Sequence, residues 1–436
     1  MKIITLSEFK KENATARYED DDQQLDDTVL NILRTVRRDG DIALLNYTRQ
    51  FDGIDLQTIT VTETEKTLAK QKVTTKFMNA LNAAKQQIIA FHENQLEKSW
   101  FTESESGTLL GQKVTPLESV GVYIPGGKAA YPSTVLMNVL PAKIAGVDQI
   151  TMVTPPDEAG HIRPEVLVAA DMAGVDNIYK IGGAQAIAAL AYGTETIQKV
   201  NKIVGPGNRY VARAKKWVYG DVAIDMIAGP SEVVIVADES APPQYIAADL
   251  LAQAEHDEDA TAICITPSKH LALSVQKEIQ KQLELLERKA IINESLEKNG
   301  RVIVVESLKE AFQLVNKIAP EHLQLMIKNP LERLSLVKHA GAIFLGNYSP
   351  EALGDYYAGP NHTLPTSGTA VFSSPLGVYD FIKKSSVIYY SEAALNKSID
   401  SITTLAKAEG LTAHARSIQV RGKENGKKKY TVTENE

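Results

Sequence analysis

The chain has 436 residues, 47 Lys and Arg against 54 Asp and Glu, a formal net charge of −7 and a single cysteine. Roughly two to three domains fit that length. A mildly acidic chain without a long basic face argues against nucleic acid or anionic membrane as the main partner, so small molecules are the expected ligands. One cysteine, Cys264 in the apolar run Ala262-Ile-Cys-Ile, rules out a disulfide framework and reads as a buried, inert thiol.

In chain order, residues 1–20 read as a small separate N-terminal segment. The polar stretch after Met1-Lys-Ile-Ile-Thr-Leu lacks the apolar centre of a signal peptide, and no later run approaches the roughly 18 apolar residues of a spanning helix. A soluble, cytoplasmic protein is expected. Val29, Ile32, Leu33 and Val36 mark one helical face that closes near Asp39-Gly40, with Asp26 or Asp27 as cap. A second helix is predicted over 74–96, with Phe77, Leu81, Ala84, Ile88 and Phe91 on one stripe and His92 beside it as a structural residue.

From Ser119 the pattern changes to short apolar strands alternating with Gly-Pro turns and Ala-rich helices, as in parallel βαβ units. The strands are Val120-Gly-Val-Tyr-Ile, Ile150-Thr-Met-Val, Ile178-Tyr-Lys-Ile, Lys202-Ile-Val and Val233-Val-Ile-Val, with helices starting near Pro132, Pro164, Ala184 and Asn208. After Ser231 the alternation restarts with a helix over 242–255, strands over 262–265 and 302–305, and a short buried strand over 342–345. The reading is an α/β chain in which 21–118 and 231–376 form one discontinuous domain and 119–230 a second, inserted domain. Residues 377–436 carry a Lys-rich turn, a helix over 391–409 and a polar tail expected to be disordered.

Polar and titratable residues crowd the stretch over 318–366. Pro320 suits the first position of a helix, which would put Glu321 and His322 in a first turn where the dipole keeps imidazole neutral, as a general base requires. The Gly354-Asp355 and Gly359-Pro-Asn-His362 turns would lie in loops beyond a strand, where open α/β sheets build their sites.

Gln253 and His256, three apart near a helix end, share a face and could offer two ligands. The same pattern reads equally as an acidic helix end with an exposed histidine. Adding Asp355 and His414 gives two imidazoles, a carboxylate and an amide oxygen, a set that suits zinc, although spacing alone does not bring them together. Gly205-Pro-Gly-Asn208, Gly182-Gly-Ala-Gln185 and Tyr123-Ile-Pro-Gly-Gly are glycine turns that follow strands, and each carries a polar side chain. They fit ordinary βα turns as well as a phosphate site, and no dinucleotide fingerprint or Walker A motif occurs. His161, His270 and His339 read as surface residues.

Taken together, V-G-V-Y-I-P-G-G, S-T-V-L-M-N, G-G-A-Q-A-I-A-A-L-A-Y-G-T, V-G-P-G-N, D-M-I-A-G-P-S-E, L-A-Q-A-E-H-D, A-P-E-H-L, G-D-Y-Y-A-G-P-N-H-T-L-P-T and E-G-L-T-A-H-A resemble, in order, the segments of the histidinol dehydrogenase family. The resemblance covers about 29–420. It implies two Rossmann-like parallel-sheet domains with small N- and C-terminal helical segments, and a homodimer with shared sites. The implied reaction is the oxidation of L-histidinol through L-histidinal to L-histidine with two NAD and one zinc per site.

Carried over by position, the resemblance assigns metal binding to Gln253, His256, Asp355 and His414, and acid-base work to Glu321 and His322. Ser231, His362 and Glu409 match substrate positions, joined by His322 and the metal residues. Tyr123, Gln185 and Asn208 match NAD contacts. NAD enters by resemblance alone. A zinc hydrolase with Glu321 activating water, or a metal-dependent binding protein, remains open from the residues themselves.

Overall fold

Contacts divide the chain into two units, Met1–Leu96 with Pro116–Phe381 and Glu97–Thr115 with Ile382–Glu436. The computed structural model describes residues 1–12, 23–104, 107–126 and 130–422. The expectation of a disordered tail concerns residues that, from 423 on, lie outside the described ones.

The first unit holds two parallel sheets. One has five strands in the order Asn177–Lys180, Gln149–Thr154, Ser119–Tyr123, Lys202–Val204, Ala223–Ile224. Its central strands are apolar on both faces because helices cover both, as expected of a parallel sheet. Pro132–Ala145 and Pro164–Ala173 share a core with Val122, Ile150 and Met152, and Gly183–Tyr192 and Arg209–Val218 share another with Ile203 and Val153. The predicted strands and helix starts of this region match closely.

The sequence reading placed 21–118 with 231–376. In the structure the apolar faces of these early helices bury elsewhere: Val29, Ile32, Leu33 and Val36 join the core of Ile187 and Leu190, while Leu81, Ala84 and Ile88 join that of Leu136 and Val139. The helix expected to end at Gly40 does break there, at φ 54 and ψ −132 within Gln23–Asp52. Its continuation starts with Asp41 N donating to Glu195 Oε2 at 2.8 Å.

The second sheet has six strands in the order Lys2–Thr5, Arg301–Val304, Thr261–Thr266, Glu232–Ala237, His322–Met326, Ala342–Leu345, all parallel. Three expectations change here. The N-terminal residues are not a separate element, since Lys2–Thr5 pairs with Arg301–Val304 at one edge. Ala342–Leu345 forms the other edge and is only half-buried.

Most consequentially, His322 starts a strand rather than a helix. The helix Leu308–Ile318 has already ended at Ala319, left-handed at φ 53. Pro320 lies in the link, and the carbonyls of Pro320 and Glu321 accept from Gly341 N and Ala342 N at 2.9 and 2.8 Å. Leu323 and Leu325 face one apolar cluster while Met326 faces the other, the alternation of a buried strand.

The second unit has a three-stranded sheet ordered Ile382–Tyr390, Thr108–Pro116, Trp100–Glu103, with the last two antiparallel, followed by helices Glu392–Ala408 and Thr412–Gln419. The Lys-rich turn expected after 377 is therefore a strand carrying Lys383 and Lys384, the latter paired with Glu97. Among the described residues no helix is long and apolar enough to cross a membrane.

Candidate active site

His322 and Glu232 each begin a strand, and their strands are neighbours in register His322 to Val233. The site therefore gathers at the amino ends of these strands, not beyond their carboxyl ends as the sequence suggested. Asp355 reaches it because the chain turns back after Leu345 into the short helix Glu351–Tyr356, so Asp355 is helical rather than in a loop. Its Oδ1 lies 3.9 Å from His322 Nε2.

His322 is buried and its Nδ1 lies 3.1 Å from the carbonyl oxygen of Glu232. A carbonyl only accepts, so Nδ1 carries the proton and Nε2 presents its lone pair. Among the described residues Nε2 has no hydrogen-bond partner. Burial pushes the ring pKa down to about 4, against the pull of Asp355. Neutral imidazole was expected from a helix dipole; burial at a strand start produces it instead.

Three carboxylates lie within 3.9 Å of this ring, those of Glu321, Glu351 and Asp355, and Glu232 stands beside Glu321. Glu321 Oε2 lies 3.6 Å from His322 Nδ1 and accepts from Glu232 N at 2.9 Å. Burial holds the Glu321 carboxyl well above the usual range, and Glu232 and Asp355 add to the rise. Glu351, with Oε1 at 3.8 Å from His322 Nδ1, is likewise raised by burial and by Asp355, Glu321 and Asp249. Glu232 is pushed up to about 6 by burial even though Ser367 N donates to its Oε1 at 2.7 Å. Such a concentration of shifted groups marks a functional site more often than a structural one.

His256, Glu351 and Asp355 bring one ligand atom each within 4.8 Å of one another. Gln253 stands one helical turn before His256 and is fully buried, and neither its amide oxygen nor its nitrogen has a hydrogen-bond partner among the described residues. Leaving both atoms unpaired in a protein interior is costly, so they call for a bound partner. Glu351 Oε2 is unpaired in the same way. One imidazole, two carboxylates and an amide oxygen fit a divalent metal such as zinc. Three of the four predicted metal residues thus belong to one unit.

His362 is held at both ring nitrogens, Nδ1 at 2.9 Å from the Asp355 carbonyl and Nε2 at 3.2 Å from Thr134 Oγ1. By the same argument Nδ1 donates and Nε2 accepts from the hydroxyl. Burial lowers its pKa. His322, Asp355 and His362 line a cavity of about 470 Å³ walled by Phe344, Leu364 and Leu376. Ser231 is half-buried directly before the strand Glu232–Ala237, and its carbonyl accepts from Thr261 N at 3.0 Å.

The three expected cofactor residues stand apart from these, around the five-stranded sheet. Burial pushes the Tyr123 phenol up to about 12, so it keeps its proton, while its oxygen accepts from Gly183 N at 3.1 Å. Gln185 is buried with Oε1 unpaired among the described residues, which suits a ligand donor. Asn208 Oδ1 is occupied as the N-cap of Arg209–Val218, accepting from Tyr210 N and Val211 N at 3.0 and 3.1 Å. Two of the amides that a phosphate at this helix start would use are therefore taken. Gly127 of the first glycine turn lies outside the described residues.

Glu409 and His414 are in the second unit, both exposed, Glu409 at the end of Glu392–Ala408 and His414 within Thr412–Gln419. Cys264 is fully buried on Thr261–Thr266, where burial pushes the thiol up to about 12. It has neither the access nor the acidity of a nucleophile.

Sequence reasoning missed Glu351, Glu232, Asp249 and Gln324. Glu351 precedes Asp355 by four residues, the spacing of one helix face, and that signal was lost when the segment was read as a loop. With the Gln324 amide oriented to satisfy both its groups, its nitrogen donates to Asp249 Oδ2 at 3.1 Å and its oxygen accepts from Glu351 N at 2.7 Å. Gln324 follows His322 on the same strand face, which the helical reading also hid.

The model of the histidinol dehydrogenase family matches residues 15–422. The histidinol dehydrogenase of Oceanobacillus iheyensis is 55% identical over 425 residues, covering 98% of this chain and 99% of its own. That of Bacillus cereus is 60% identical over 396 residues, 91% of this chain and 92% of its own. The crystal structure of histidinol dehydrogenase from Elizabethkingia anophelis superposes with a TM-score of 0.90 at 40% identity, covering 96% of this chain and 97% of that one.

Proposed function

The chain belongs to the histidinol dehydrogenase family, and from that premise we propose that it oxidises L-histidinol through L-histidinal to L-histidine in the cytoplasm, as a homodimer with shared sites. The observation that carries this reading is the neutral, buried His322, whose Nε2, unpaired among the described residues, lies 3.9 Å from Asp355 of the group formed with His256 and Glu351. Gln253, His256 and Asp355, with His414, would hold zinc, and Glu351, whose ligand atom lies within 4.8 Å of those of His256 and Asp355, could join them. When bound, NAD would supply the two-electron acceptor for each oxidation, and zinc a positive centre that orients the nitrogen donors of the substrate.

The chain's own residues then have distinct tasks. His322 Nε2 accepts the hydroxyl proton as the alcohol becomes the aldehyde. Glu321, in its ionised form a stronger base than a surface carboxylate because burial disfavours its charge, accepts a proton from water as the aldehyde is hydrated. Cys264 is too buried to form a thiohemiacetal, so the hydrate is the species that undergoes the second oxidation. His362 and Ser231, with Glu409, would orient the substrate, while Tyr123, Gln185 and Asn208 would contact NAD.

Purified protein given L-histidinol and NAD should develop the NADH absorbance band, with two NADH formed per histidine. A chelator should abolish the signal, and zinc, cobalt or manganese should restore it, because imidazole and oxygen donors accept all three. A hydrolase or a binding protein built on the same groups gives no band. Absence of NADH from zinc-loaded, folded protein would overturn the proposal.

A further inference from the structure

Tyr123 and Gly205 meet where the five-stranded sheet changes direction. From Ser119–Tyr123 the chain adds strands on one side, then returns to add Lys202–Val204 on the other, so the crevice between these two carboxyl ends is where such sheets take ligands. Gly205 follows the second strand at φ 109, and a Cβ on it would lie 2.1 Å from the Tyr123 carbonyl oxygen. Only glycine allows that approach.

Both polar groups of Gly205 are held by charged side chains from later elements. Its N–H donates to Asp225 Oδ2 at 2.8 Å and its carbonyl accepts from Lys215 Nζ at 3.0 Å. Lys215, on the helix Arg209–Val218, also forms an ion pair with Asp225, and the two side chains are 2% and 1% exposed. The second carboxylate oxygen of Asp225 accepts from Met226 N at 2.6 Å. Packed apolar side chains often stabilise a fold as well as a buried ion pair does. They could not grip a backbone N–H and a carbonyl of one residue at once.

We propose that Lys215 and Asp225 are positioning residues for the dinucleotide, clamping Gly205 so that the turn into Asn208 stays against Tyr123 in the geometry that receives the cofactor. This rests on the reading that NAD contacts Tyr123, Gln185 and Asn208. The clamp also anchors the start of the segment 226–231, which leads to Ser231 and Glu232 of the other sheet.

The test is NADH binding, followed by fluorescence titration of the zinc-loaded protein, together with the KM values for NAD and for histidinol. Asp225→Glu keeps the charge pair but moves the carboxylate off the Gly205 N–H. NADH affinity should fall about tenfold, the worth of one hydrogen bond to a charged group, with the KM for NAD rising and that for histidinol unchanged. Lys215→Arg should behave alike. Asp225→Asn leaves Lys215 without its partner and is the variant most at risk of not folding, so the two conservative changes decide.

Normal NADH affinity in folded Asp225→Glu, or an equal rise in both KM values, would overturn the proposal. So would failure of both conservative variants to fold, since the pair would then serve folding alone. Gln185→Ala separates the underlying reading: if it leaves the titration unmoved, the cofactor assignment is at fault. If it weakens binding while Asp225→Glu does not, the clamp is.

Discussion

The Nδ1 of His322 lies 3.1 Å from the carbonyl oxygen of Glu232, and this contact selects the nitrogen that can take a proton. With Nδ1 donating, Nε2 is the base, and burial keeps it unprotonated down to a pH of about 4. Removing a positioned general base costs about a hundred- to ten-thousand-fold in rate. His322→Asn should therefore lose turnover of histidinol on that scale while keeping its zinc, measured by steady-state kinetics and metal analysis of the same sample. Near-normal turnover would assign the proton to another group.

Glu321 touches the ring at 3.6 Å and is anchored by Glu232 N, so its carboxyl has a fixed place beside the base. Its proposed task belongs to hydration of the aldehyde. Glu321→Gln keeps the shape and the hydrogen bond but cannot accept a proton from water. Oxidation of supplied histidinal should fall further than oxidation of histidinol to histidinal, compared in single turnovers. Equal losses in both steps would argue that Glu321 only fixes His322.

How much of this was legible in the sequence depended on the local pattern. Apolar runs such as Ile150-Thr-Met-Val, bounded by glycine and proline turns, are unambiguous, and the five-stranded sheet follows them. Pro320-Glu-His was not, because proline serves equally at a helix start and in the link after a helix, and the left-handed Ala319 that decides between them carries no sequence signal. That misreading hid Gln324, while reading Gly354-Asp355 as a loop beyond a strand moved the site to the wrong end of the sheet. Glu351 was lost because a six-residue helix is too short to show periodicity. The pairing of Lys215 with Asp225 joins a helix to the residue just after a two-residue strand, and no local pattern announces it.

Asp249 offers a test of the buried acids by pH. Its carboxyl is pushed from 3.8 up to about 6, chiefly by burial, with Gln324 opposing. The unfolded chain ionises this group first, so its contribution to stability is full below pH 3.8 and is lost as pH rises through about 6. Asp249→Asn keeps an acceptor for Gln324 and removes the ionisation. In chelated protein the variant should gain about 1–3 kcal/mol over the parent at pH 8, and little at pH 4, by denaturant titration. His322 slopes the other way between 6.5 and about 4, but it does so in both proteins and cancels. A gain independent of pH would show that the Asp249 carboxyl is not the group being titrated.

His414 is exposed in the second unit, while His256, Glu351 and Asp355 come together in the first. We expect His414, with Glu409, to complete the site of the partner subunit, which makes the dimer obligatory for catalysis. Two inactive variants decide this, His414→Asn and His322→Asn, unfolded and refolded together. If His414 acts across the dimer, each mixed dimer carries both defects in one site and neither in the other. Random pairing of two-fold dimers then restores about a quarter of the sites. If His414 serves its own subunit, every site in the mixture keeps one defect and no activity returns. Each variant refolded alone supplies the baseline, and size-exclusion chromatography of the mixture confirms that dimers formed, so a silent mixture of intact dimers would place His414 in its own site.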